Sequence, residues 1–230
     1  MSQPYTLLLR LEGPMQSWGY RSRFDYRDTA LEPTRSGVIG LICAACGVAR
    51  GEDISRFEPI RMGVRVDKEG RPERDYHTAG GDHHEPREYG VIKADGSGMD
   101  TVVSYRDYLA DAIFTVGLES HDKYLLQEIA EALCNPTWPL FLGRKAFCLA
   151  EHPLSASRPS VVQADLETAL KGAAFSLRCK PSHGGILRYR VACESPDGER
   201  TQYDSPVCFA TRRFKPRSIR TWFEEKGDPK

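Results

Sequence analysis

A chain of 230 residues with 32 basic and 32 acidic side chains has a formal net charge of zero, so it lacks the overall basicity of a dedicated nucleic-acid binder and any polyanion binding must be local. Its length allows a real core in one large domain or two small ones. Seven cysteines without a repeated spacing, no signal-peptide pattern and no long apolar run exclude a disulfide framework and a membrane helix, and give the expectation of a reduced, cytoplasmic protein.

In chain order, Tyr5 to Leu11 is an aliphatic strand that ends at Glu12, because the following Gly13-Pro14 cannot continue a ladder. An aromatic and arginine-rich loop leads to a helix that begins after Pro33, with Thr34 or Ser36 as the N-cap. Val38, Leu41, Ile42, Ala45 and Ala49 recur at helical spacing, and Gly47 is a plausible stop. The first amides of such a helix have no intrahelical partner, so Arg35 with the Ser36 and Gly37 backbone suits a phosphate. An ordinary capped core helix gives the same pattern. Cys43 and Cys46 form a lone C-x-x-C inside this apolar helix and read as packing residues rather than a metal or redox pair.

Ile60 to Val66 alternates as a strand, Lys68 to Arg74 reads as a polar turn, and Tyr76 to Glu88 is too polar and glycine-rich for a core element. Tyr89 to Lys93 and Thr101 to Tyr105 flank Asp95-Gly96-Ser97-Gly98 and predict a protruding hairpin. Ala112 to Leu118 is a buried strand, Lys123 to Leu133 an amphipathic helix ended by Asn135-Pro136, and Leu140 to Leu149 a further strand region. A short helix near Gln163 to Lys171 and strands near Ala174 to Cys179 and Leu187 to Glu194 follow. After the Pro196-Asp197-Gly198 turn, Ser205 to Trp222 holds Arg212, Arg213, Lys215, Arg217 and Arg220 and no acid. The order predicts an α+β fold: a ferredoxin-like, RNA-recognition-like core in residues 1–150 with an inserted thumb hairpin at 76–108, then a smaller β-rich C-terminal part, 151–230, ending in the basic tail.

Four ordered stretches carry a resemblance: GPMQSWG at Gly13 to Gly19, PTRSGVIGLICAACG at Pro33 to Gly47, DYHTAGG at Asp75 to Gly81 and SYRDYLADAIFTVGL at Ser104 to Leu118. With the tail DSPVCFATRRFKPR at Asp204 to Arg217 they resemble CRISPR-associated Cas family five, nearest its CasD-type, type I-E branch, over nearly the whole chain. The resemblance implies a RAMP core with a thumb hairpin, in a subunit that holds the 5′ handle of the CRISPR RNA at one end of Cascade. It implies as partners the terminal copy of the backbone subunit and the large PAM-recognising subunit. In the type I-E branch another subunit cuts the RNA, whereas type I-C relatives cleave the repeat themselves.

Single-stranded RNA is held by phosphate contacts, stacking and base-edge hydrogen bonds. Met15, Gln16, Ser17 and Trp18 offer each type, with Gln16 the preferred contact; Trp18 can instead close the core beneath its loop. Arg21, Arg23, Arg27 and Arg35 punctuate the next loop as a phosphate groove requires, yet Asp25, Asp28 and Glu32 allow a salt-bridged solvent loop. Arg35 with Ser36 is preferred for its place at the helix start. Arg144 and Lys145 form a second small cationic loop or an exposed turn. Tyr76 and His77 complete the expected RNA-binding set, while Val91, Ile92, Val102 and Val103 of the hairpin offer a face to a partner subunit.

His77, His83 and His84 lack the spacing of a helical metal pair, and no metal or cofactor is expected. Tyr76, His77 and Lys93 can be drawn as a metal-independent ribonuclease set. The Lys-His element of the cleaving relatives is missing, so the expectation is a non-catalytic RNA-binding subunit, with a repeat endoribonuclease as the alternative and a purely protein-binding bridge as the third reading.

Overall fold

The computed structural model describes residues 3–22, 25–80, 90–92, 99–154, 161–179 and 185–227. The chain is mixed α+β, mostly strands with three α-helices among the described residues. In order these are β1 (Tyr5–Glu12), β2 (Met15–Gln16), β3 (Tyr26–Arg27), α1 (Arg35–Cys46), β4 (Arg61–Lys68), β5 (Arg71–Ala79), β6 (Val91–Ile92), β7 (Met99–Asp100), β8 (Val102–Ala110) and β9 (Ile113–Ser120). Then follow α2 (Lys123–Cys134), β10 (Val161–Val162), α3 (Leu166–Gly172), β11 (Ile186–Glu194), β12 (Arg200–Cys208) and β13 (Arg213–Gly227).

Seven strands form one sheet in the order β10-β1-β9-β4-β11-β13-β12, every neighbour antiparallel. The period of two in β1 sends Leu7, Leu9 and Leu11 to one face, where they meet Phe114, Val116 and Leu118 of β9 and Met62, Val64 and Val66 of β4. Helices α1 and α2 cover this face with Val38, Ile42, Leu126, Ile129 and Leu133, making the main core. The strands after residue 151 continue this sheet, because β11 pairs with β4 from Cys193↔Gly63 to Arg190↔Val66.

The second face carries a smaller apolar cluster, Leu166 and Leu170 of α3 with Tyr189, Val191 and Cys193 of β11, beside buried charge. Arg65 is fully buried there, bonded to Asp67 at 2.6 Å and to the carbonyls of Leu170 and Ala173 at 2.6 Å each, with its guanidinium 3.8 Å from the Phe175 ring. Helix α3 packs close because Gly63 and Gly117 stand opposite each other; a Cβ on Gly117 would lie 2.7 Å from Leu166 Cδ1.

Ala174 to Cys179 is not a strand: its backbone is held by charged side chains, Arg10 donating to the Ala174 carbonyl at 2.8 Å, while Arg178 pairs with Glu12 at 3.0 Å. Leu140 to Leu149 is likewise a run of turns, with Leu142 N–H donating to the Phe147 carbonyl at 2.8 Å. Conversely, the expected turn and irregular region contains β5, paired over nine residues with β8 in a four-stranded sheet with β2 and β3. At its far end β6 and β7 pair as a small hairpin; the Asp95 to Gly98 turn, His83 and His84 lie outside the described residues.

Candidate nucleic-acid interface

Helix α1 starts as its sequence dictates: Thr34 is the N-cap, its hydroxyl accepting the Gly37 N–H at 3.2 Å, and Gly47 ends the helix at φ 72°. Its head is already occupied. The Asp204 carboxylate accepts the Arg35 backbone N–H at 2.8 Å, and the Arg35 side chain, buried, donates to the carbonyls of Ile60, Phe57 and Glu58 and pairs with Glu194 at 3.0 Å. Arg217 closes the cluster on Asp204 at 2.6 Å and Glu194 at 3.2 Å. The expected phosphate site at Arg35 and Ser36 is therefore corrected: a protein carboxylate from β12 fills it, and the half-buried Ser36 hydroxyl turns to Thr34.

The loop at Met15 to Trp18 is also corrected, from a contact surface to a brace. Gln16 is 0% exposed; its amide donates to the carbonyls of Leu11 and Ala112 at 3.2 and 2.9 Å, and its carbonyl accepts from Trp18 Nε1 at 3.2 Å. Trp18 is 1% exposed and lies on Gly37, where a Cβ would fall 2.7 Å from its ring. Met15 is half-buried against the core and Ser17 is buried. The brace nevertheless positions something useful. Ser17 N–H donates to the Leu142 carbonyl at 3.0 Å, and Gly143, at φ 91°, sits so tightly on the Ser17 carbonyl that no side chain fits. That contact aims Arg144.

The Arg144 guanidinium donates to the carbonyls of Asp107 at 2.7 Å and Arg27 at 3.4 Å, and lies 5.3 Å from the centre of the Phe147 ring. Pairing of β3 with β8 sets Arg27 beside Arg106, whose Nε donates to Ser104 Oγ at 2.9 Å. Three arginines from three parts of the chain thus meet, with exposed Lys145 adjacent to one of them. None of the three forms an ion pair among the described residues, whereas Arg35 of α1 and Arg61, Arg65, Arg190 and Arg217 of the sheet all do. Burial, then the neighbouring Arg106 charge and more weakly that of Arg27, push the Arg144 pKa below its ordinary value, against the pull of Asp75 and Asp107. Like charges gathered this closely repel, against the partial offset of Asp75 and Asp107, and an incoming anion relieves that repulsion.

Beside the triad, Asp75 stands across from Arg106 and pairs with His77 Nδ1 at 3.3 Å. The other face of these strands carries a row of exposed rings, Tyr26, Tyr105 and Tyr76, with Tyr76 and Tyr105 edge to face at 5.7 Å. Tyr26 donates a short hydrogen bond to Asp107, which Arg74 also pairs at 2.7 Å. That acceptor carboxylate raises the Tyr26 phenol, while Arg74 and then Tyr26 hold Asp107 below the usual carboxylate range against partial burial.

The structure therefore brings together Arg27, Arg144, Lys145 and His77, places Tyr76 on the opposite face from His77, and keeps Gln16, Trp18 and Arg35 inside. Arg23 lies outside the described residues. Val91, Ile92 and Val102 are exposed at the ribbon's outer end and Val103 is half-buried. Arg106 and Tyr105 were not read from the sequence; the available signal was their place inside the SYRDYL run. Among the described residues no group of three or more His, Cys, Asp or Glu side chains could hold a metal, and no helix is long and apolar enough to cross a membrane.

Comparison with known proteins bears on this site. The family model described as CRISPR-associated protein (Cas_Cas5) matches residues 6–220. The chain is 31% identical to the CRISPR system Cascade subunit CasD of Escherichia coli (strain K12), over 96% of both chains. Among solved structures it resembles a chain of a CRISPR RNA-guided surveillance complex, at TM-score 0.81 and 36% identity over 96% of this chain and 90% of that one. It also resembles a protein solved as a crystal structure of Cas protein, at TM-score 0.72 and 38% identity over 95% and 94% of the two chains.

Proposed function

This chain belongs to the CRISPR-associated Cas5 family, and from that premise we propose that it is a non-catalytic, cytoplasmic subunit of a type I-E Cascade complex that holds the 5′ handle of the CRISPR RNA. The observation that carries the RNA reading is the convergence of Arg27, Arg106 and Arg144, none of which forms an ion pair among the described residues. Guanidinium groups grip phosphate bidentately, and three together suit a bend in a sugar-phosphate chain.

The fold supports the same reading. Strands β1, β4, β9 and β10 with α1 and α2 follow a βαββαβ path in the spatial order β10-β1-β9-β4, which supports a ferredoxin-like core of the kind RNA-recognition modules use. Residues 1–150 supply the triad and the β5/β8 ribbon, the counterpart of a thumb; residues 151–230 add the fourth core strand, β10, and extend the sheet through β11, β13 and β12. The exposed Val91, Ile92 and Val102 at the ribbon's outer end suit the backbone subunit, leaving the large PAM-recognising subunit another face.

Successive side chains of a strand point to opposite faces. Tyr76 and His77 therefore cannot act together on one phosphodiester, which supports holding over cutting. The endoribonuclease reading draws on the His77–Asp75 pair beside Arg106. Both readings meet in one experiment: labelled repeat RNA with the purified chain in EDTA. Retarded, intact RNA, lost on Arg106→Ala, supports the holding subunit; cleavage abolished by His77→Ala supports the nuclease.

A further inference from the structure

Loop residues 20–22 and 25–28 carry more than Arg27. The Asp28 carboxylate accepts the backbone N–H groups of Tyr20 and Arg21 at 3.3 and 3.0 Å and the Ser22 hydroxyl at 2.8 Å, so Tyr20 and Arg21 are tied beside the residue that follows Arg27. On their other side lies a groove of about 1200 Å³, floored by Arg190 of β11, Thr221 of β13 and the Arg200 to Tyr203 stretch of β12. It is larger than the roughly 300–1,000 Å³ of small-molecule sites, and suits a polymer segment.

Its chemistry is that of a single-strand track. The lips are aromatic: Tyr20, with the Arg21 guanidinium 4.9 Å from its ring centre, and Tyr203, 67% exposed. On the floor Glu32 is neutralised by Arg190, which Glu69 also pairs, and by Arg200, which remains 42% exposed; Glu199 adds one acid to the rim. Arg21 forms no ion pair among the described residues. Leu31 is the one exposed aliphatic side chain in the lining. Exposed aromatic planes beside Arg21 and the solvent-facing part of Arg200 can stack on and pair with nucleotides of any sequence.

We propose that this groove is a second RNA subsite: it takes the nucleotides that continue from the phosphate on the arginine triad. Their bases stack on Tyr20 and Tyr203, and their backbone lies along Arg21 and Arg200. The inference rests on the RNA-holding function proposed above. Tyr20, Arg21 and Ser22, tied to Asp28, are the shared wall that makes the two sites one path.

The test measures affinity of the full chain for a labelled repeat-derived RNA and for a set shortened stepwise from each end, with Tyr203→Ala, Arg21→Ala and Arg106→Ala variants checked for native circular dichroism. The expected result is that Tyr203→Ala and Arg21→Ala each weaken the longest RNA about tenfold or more. They should have no effect once one end has been shortened past a defined nucleotide, while Arg106→Ala still weakens the shortened RNA. Tyr203→Ala and Arg21→Ala binding all RNAs normally while Arg106→Ala does not would overturn the groove and leave the RNA function standing. Weakening that is equal for every length would also overturn it. If no variant alters binding, the RNA assignment itself fails and the groove with it.

Discussion

The Asp204 carboxylate lies 2.8 Å from the backbone nitrogen of Arg35, so the positive end of α1 is met by an acid of the same chain. Asp204 and Arg35 are both buried, and each also belongs to the cluster with Glu194 and Arg217. Removing one member leaves buried charge without a partner. Asp204→Ala is therefore expected to lower unfolding free energy by about 3–5 kcal/mol in denaturant titration, while the folded fraction binds RNA as before. A loss of affinity at unchanged stability would return this helix head to the RNA site.

The arginine triad predicts the reverse pattern. Arg106→Ala and Arg144→Ala should each weaken RNA binding uniformly across sequences and reduce the slope of log affinity against log salt by about one. Arg106→Ala should leave the unfolding midpoint about level, whereas Arg144→Ala also gives up the hydrogen bonds to the Asp107 and Arg27 carbonyls and should lower it modestly. A midpoint that falls steeply would mean the triad is scaffolding.

Glu32 predicts an acid limit. Burial alone would raise its carboxyl, but Arg190 and Arg200 outweigh it and hold the folded value below the ordinary 4.5. A depressed folded pKa stabilises above the unfolded value and is lost as pH falls through the folded one. Stability should thus drop below about pH 4.5, and Glu32→Gln should flatten that part of the profile. Equal slopes in the two proteins would exclude Glu32 as the source.

Thiol labelling tests the packing assignment of the C-x-x-C. Burial pushes Cys43 and Cys193 up to about 12 each, so neither should react with maleimide at neutral pH until the chain unfolds. Hydrogen bonds from Thr211 lower Cys208, which should label early in the native protein. Native-state labelling of Cys43 would contradict the assignment.

Much of the fold was legible because its signals are local. Tyr5 to Leu11, Thr34 to Gly47 and Lys123 to Asn135 carry their own periodicity and caps. Strand β5 was hidden because nearly every side chain from Arg71 to Ala79 faces solvent, leaving no alternation to read. Ala174 to Cys179 reads as a strand for its apolar residues, but its Ala174 carbonyl goes to both Arg10 and Arg65, which the local pattern does not announce. The same holds for the site. Arg27 and Arg144 were visible as cations, but their meeting with Arg106 depends on the β3/β8 register. The burial of Arg35 and Gln16 depends on distant partners that the local pattern does not announce: Asp204 is 169 residues beyond Arg35, and Ala112 is 96 beyond Gln16.

That separation also orders the birth of the protein. As the chain leaves the ribosome, α1 and the first strands emerge long before Asp204, Glu194 and Arg217, and β4 waits with an open edge for β11. A nascent chain halted before β11 carries both an unsatisfied strand edge and a buried cation without counter-charge. Commitment to the native state belongs to the last strands synthesised, and loss of the C-terminal sheet by early termination should yield a substrate for proteases rather than a smaller working module.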